Sequence, residues 1–133
     1  MPLARLAIAA LLIPLLVACG DRSPELQPLD ERVLARWNHM IGRDFQAAWE
    51  FHTPGFRQTS PQQAFANEMA QRPVRWTSVE WRGAECGEDV CEVTVRVGFR
   101  AVGAPSGLSS VEVTRDIRET WLWIDGQWWY SAS

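Results

Sequence analysis

The chain contains no lysine: all thirteen of its basic side chains are arginine. It has one tyrosine, two histidines and three cysteines. With an alanine-rich composition, the missing lysine reads as the mark of a GC-rich genome rather than a functional demand. No phosphate loop, nucleophile elbow or zinc-ligand spacing occurs, and nothing calls for a cofactor. The formal net charge of −3 leaves no electrostatic footprint for nucleic acid. Long apolar runs are absent too. The longest, Leu6 to Ala18, is broken by Pro14 and falls short of the ~20 residues that span a bilayer. Tryptophan is abundant, with eight copies.

Arg5 followed by the short apolar run has the pattern of a secretory signal. The run ends Leu16-Val17-Ala18-Cys19. This resembles the lipobox of bacterial lipoproteins. The resemblance implies a signal peptide over residues 1–18, cleavage before Cys19, and diacylglyceryl attachment to its sulfur with acylation of the new amino terminus. Two or more acyl chains anchor stably, where one is marginal. The membrane is then a partner through Cys19. Gly20, rather than Asp, follows the cysteine, which points to the outer membrane, facing the periplasm.

Residues 19–29 carry two prolines and no periodicity, and read as the lipidated cysteine and a tether. Residues 30–133 are expected to form one domain. Val33, Leu34, Trp37 and Ile41 recur at helical spacing, with Asp30 as N-cap and Gly42 as helix stop. Asp44 either caps a second helix holding Phe45, Ala48, Trp49 and His52, or aims a carboxylate into a cavity. Thr53-Pro54-Gly55 reads as a turn. Ser60-Pro61-Gln62-Gln63 has the form of a capping box for a third helix.

After Pro73 the period changes to two. Val74–Cys86 reads as a strand with a bulge at Gly83. Cys91–Val102 alternates cleanly, with Val93, Val95, Val97 and Phe99 on one face. Val111–Ile124 and Gln127–Ser131 are the last strands, joined by Asp125-Gly126, a favoured hairpin turn. The order of three helices and then a four-stranded antiparallel meander means α+β.

The fold order, the helix with Trp37, the stretch GRDFQAAWEFHTPGFR at Gly42–Arg57 and the closing DGQWW resemble the nuclear transport factor two-like superfamily. That superfamily includes ketosteroid isomerase and the SnoaL-like proteins. The resemblance implies three amino-terminal helices packed on a curved sheet, in a cone. Its members include enzymes, ligand binders and assembly domains. No catalytic residue carries over onto this chain. His39 and His52 read as surface or capping residues.

In the closing hairpin, alternation puts Trp121, Trp123, Trp128 and Tyr130 on one face. Leu122, Ile124 and Trp129 take the other. A second apolar face needs a cover. The cover is the chain's own loops or tether, a second copy or envelope protein docked on the sheet, or a small apolar ligand. Arg115 and Glu119 share strand parity with Ile117 and Trp121, so with Asp44 they are candidate polar residues of a cavity.

Cys86 and Cys91 flank GEDV. A metal site needs more ligands nearby, and a redox pair usually has a two-residue spacer. Once lipidation takes Cys19, an exported pair remains, and a structural cross-strand disulfide is expected. Two functional readings follow. One is a lipid-anchored, periplasm-facing, non-enzymatic binding or assembly module. The alternative is a small cone-fold enzyme or apolar-ligand carrier using the interior cavity.

Overall fold

The computed structural model describes residues 29–132; the signal, the lipobox and Cys19 lie outside them. Among the described residues, four helices precede four strands. They are α1 (Leu29–Ile41), α2 (Phe45–Trp49), α3 (Pro54–Thr59) and α4 (Gln62–Gln71), then β1 (Val74–Cys86), β2 (Val90–Ala101), β3 (Val113–Ile124) and β4 (Gln127–Ser131). The sheet is an antiparallel meander in the order β1-β2-β3-β4. The class is α+β, with four helices where three were expected. The additional one is α3. Thr53 accepts a hydrogen bond from the Phe56 N–H at 3.4 Å, and Pro54 takes the first helical position. A capped proline start turns the expected turn into a helix.

The helix boundaries differ from expectation for local reasons. Leu29 is not tether. It is the first residue of α1 and fully buried, and Asp30 falls in the first turn. The buried stripe of α1 is Leu29, Val33, Arg36, Trp37 and Met40, so Leu34 and Ile41 lie at its margin. The helix closes with a Schellman motif. The Asp44 N–H bonds the His39 carbonyl at 2.9 Å, and the Arg43 N–H bonds Met40 at 3.2 Å. The left-handed residue is Arg43, at φ 59°, not Gly42. Ser60 does not cap α4. Its N–H closes α3 on the Phe56 carbonyl at 2.9 Å, and its carbonyl accepts the Trp49 indole at 2.7 Å. Pro61 takes the cap position without a side-chain bond.

The sheet follows the period-two reading closely. β2 buries Cys91, Val93, Val95 and Val97, and turns Thr94, Arg96 and Arg100 outward. The outward face carries ion pairs, among them Arg96–Asp116 at 2.8 Å. β1 slips register twice, between Trp76 and Ser78 and between Trp81 and Gly83. The second slip is the expected bulge, and Gly83 takes φ 143° there. Asp125 and Gly126 both have positive φ, as the favoured two-residue hairpin turn requires. The exposed edge of β4 is covered by the segment after α2: the Tyr130 N–H bonds Phe51 at 2.8 Å, and the Thr53 N–H bonds Tyr130 at 3.1 Å. Arg32 takes the Trp128 carbonyl at 2.7 Å. An edge blunted this way does not template further pairing.

Cys86 and Cys91 face each other across β1 and β2 and form a disulfide. So short a closed loop contributes only ~2 kcal/mol of chain entropy. Reduction is therefore expected to lower the urea midpoint modestly and leave the far-ultraviolet spectrum folded. Loss of the whole fold on reduction would contradict this.

Candidate functional site

Between the helices and the sheet lies a cleft of about 690 Å³. Its floor is built from α1, β3 and β4. Arg36 comes from the buried stripe of α1 and Glu119 from the inward parity of β3. They meet as an ion pair at 3.0 Å, with side chains 6% and 2% exposed. The Glu119 carboxylate accepts two further bonds. Trp37 Nε1 donates to Oε1 at 2.9 Å, and Trp121 Nε1 donates to Oε2 at 3.0 Å. The Arg36 guanidinium lies 3.6 Å over the Tyr130 ring. Its Nε, though buried, has no hydrogen-bond partner among the described residues; the ring face supplies cation–π attraction instead.

One wall is aromatic. His52, fully buried, stacks on Phe56 with centroids 4.3 Å apart. Phe65 and Tyr130 meet it edge-on at 4.9 and 5.0 Å. His52 Nδ1 is 3.1 Å from the Trp49 carbonyl. That carbonyl can only accept, so Nδ1 carries the proton and Nε2 keeps its lone pair. Burial lowers the His52 pKa to about 4, helped by the positive charges of Arg36 and Arg57. The ring is therefore neutral at neutral pH.

Of the residues marked in the sequence, Glu119 and Tyr130 reach this cleft. Asp44 does not. It is exposed, and its carboxylate caps α2 by accepting the Ala47 N–H at 3.2 Å, with His39 Nδ1 3.7 Å away. Arg115 is also exposed, although its parity is right. Along that parity Val113 is 48% exposed and Trp121 is 0%, so only the later half of β3 lies under cover. Trp121 and Trp128 are core side chains, buried to 0% and 2%, and cannot form an open docking surface. Trp123 is half-buried, edge-on to Trp128 at 5.1 Å. On the other face, Trp129 is overlaid by the Arg57 and Arg32 guanidinium groups at 4.7 and 5.2 Å. The chain's own arginines supply part of the cover that face needs.

One floor residue carried a weak signal. Arg36 sits in step with Leu29, Val33 and Met40 on the buried stripe; a charge in an apolar stripe was the available sign. His52, read as a surface or capping residue of the second helix, is instead buried and lies past the end of α2, because residues 51–53 pair with β4.

No protein-family model and no curated protein matches this chain. Solved structures do. A solution structure of a SEC-C motif containing protein from Rhodopseudomonas palustris gives a TM-score of 0.58 at 17% identity, over 76% of this chain and 73% of that one. A SEC-C motif containing protein from Psychrobacter arcticus gives 0.58 at 11% identity; this chain spans 58% of its length. A crystal structure described as an NTF2-like transpeptidase from Campylobacter jejuni gives 0.54 at 8% identity, over 80% of this chain and 99% of that one. Identities this low establish a shared fold and nothing about chemistry.

Proposed function

We propose that this chain is a binding module of nuclear transport factor two-like fold whose cleft holds a small, largely apolar ligand. The carrying observation is the cleft itself: an aromatic wall above a closed polar floor, at a volume typical of ligand sites. A catalytic reading has less support. Glu119 is saturated by three donors, so it has little freedom to move a proton. His52, with a pKa of about 4, is a weak base at neutral pH, where general bases work best near the operating pH.

Native mass spectrometry of the purified protein tests the reading. A co-purifying small molecule is expected. Ala64→Trp, at the cleft on α4, is expected to lose that molecule while keeping the fold. An unchanged adduct in the variant would place the ligand elsewhere.

The proposal includes the setting. The lipobox-like Leu16–Cys19 supports a lipid anchor on the periplasmic side of a bacterial envelope. The Cys86–Cys91 disulfide supports an oxidising compartment. Cys19→Ser is expected to move the protein from the membrane to the soluble fraction. Retention on the membrane would count against the anchor.

A further inference from the structure

The arginines in and beside the cleft are already paired. Arg36 is matched by Glu119 at 3.0 Å. Arg72, at the cleft on the end of α4, is matched by Glu68 at 3.1 Å. Arg57, on α3 near His52, has Glu50 at 3.8 Å. Tyr130, on β4, faces the site with its ring. Arg36, Arg57 and Arg72 therefore each have a carboxylate of their own. A ligand carboxylate entering here would find no unmatched cation, and would lose its hydration.

The hydrogen-bonding capacity of His52 points the same way, and the open Arg36 Nε–H donor can be met by a neutral hydroxyl or ester oxygen. His52 has spent its Nδ1 proton on Trp49, so its other nitrogen can accept but not donate. A lone pair welcomes a hydroxyl and repels a carboxylate oxygen. The low pKa of the ring keeps it from becoming a donor at neutral pH.

We infer that the cleft selects an uncharged amphiphile, with an apolar chain and a hydroxyl-bearing head, over a carboxylate of the same chain. This rests on the cleft-binding reading above and adds the chemistry of the head group. A monoacylglycerol is the simplest member of that class.

The test is calorimetric titration of the Cys19→Ser chain at pH 7, each probe kept below its micelle concentration. The probes are monodecanoylglycerol, decanoate, decyltrimethylammonium and methyl decanoate. The glycerol ester is expected to bind roughly tenfold or more tighter than decanoate, since an unmatched charge must be desolvated. Glu119→Gln leaves Arg36 unmatched, and is expected to reverse the order in favour of decanoate. Should that variant not fold, His52→Phe keeps a stacked ring without the acceptor. The unsubstituted cleft is expected to bind the glycerol ester more tightly than methyl decanoate, and His52→Phe to erase that preference. Decanoate or the ammonium binding as tightly as the glycerol ester to the unsubstituted cleft would overturn the inference and leave the cleft-binding reading standing. Failure of all four probes to bind would overturn both.

Discussion

Glu119→Ala is expected to cost about 3–5 kcal/mol of folding stability, the range for breaking a buried ion pair from one side. The cost has three parts. Arg36 would keep its charge in a nearly dry site with only the Tyr130 ring beside it. The indole N–H groups of Trp37 and Trp121 would lose their acceptor, and each buried orphan costs about 1–3 kcal/mol. A void would remain between α1 and β3. Water entering through the cleft would offset part of this. Glu119→Gln is expected to cost less, because its amide oxygen still accepts. The double substitution Arg36→Met with Glu119→Leu is expected to recover only part of the loss, since the two indoles stay unpaired. Urea unfolding of the four proteins measures all of this. A Glu119→Ala loss below about 1 kcal/mol, the scale of an exposed pair, would show that the floor is wet and the pair ornamental.

The same three bonds explain why the site was only half legible in the sequence. Strand alternation is a local property. It correctly brought Glu119 onto the face of Ile117 and Trp121. It could not say that Arg115, on the same parity, lies beyond the helices. Cover is decided by where α1 and α4 end over the sheet, and that is tertiary. Helical spacing was legible on α1, but the stripe was phased one step off. Counting Leu34 and Ile41 as inward followed hydrophobicity; the packed helix instead buries Arg36 and Leu29. The error hid the arginine of the ion pair. Leu29 was hidden in turn by the two prolines just before it, which made it resemble tether.

Capping chemistry was legible as a set of candidates and ambiguous in assignment. Asp44 has the residue type and spacing for a cap, and it caps. Ser60 has both as well, yet its backbone is consumed by α3 and by Trp49. One residue cannot serve two helix ends whose separation is a single step. Thr53 gains the role that Ser60 loses. The hairpin aromatics were correctly sorted into two faces. Which face is core follows from the helices: Trp121 and Trp128 go under them, and Trp129 goes to the edge, where Arg32 and Arg57 reach it. The hairpin aromatics, for which the chain itself, a docked protein or a small ligand were alternative covers, are thus largely core, and of them Tyr130 lines the cleft.

His52 makes stability depend on pH in a definite window. Its folded pKa is about 4, below the ordinary value of 6.5. Between those two values the unfolded chain binds a proton that the folded chain refuses. Stability therefore rises with pH across the window. The contribution is fully present above about pH 6.5 and is lost as the pH falls toward 4. Below about 4 the folded ring protonates as well, and the loss stops growing. A shift of this size corresponds to about 3 kcal/mol at most, at 1.36 kcal/mol per unit. Comparing urea midpoints at pH 7 and pH 4.5 gives the slope. His52→Phe keeps the stack on Phe56 and the edge contact with Phe65 but has nothing to protonate, so its slope across the window is expected to be shallower. Every other ionisable group is common to both proteins, so the difference in slope reports His52. Equal slopes would mean that His52 accepts its proton within the fold, and that the aromatic wall is open enough to water to carry a charge.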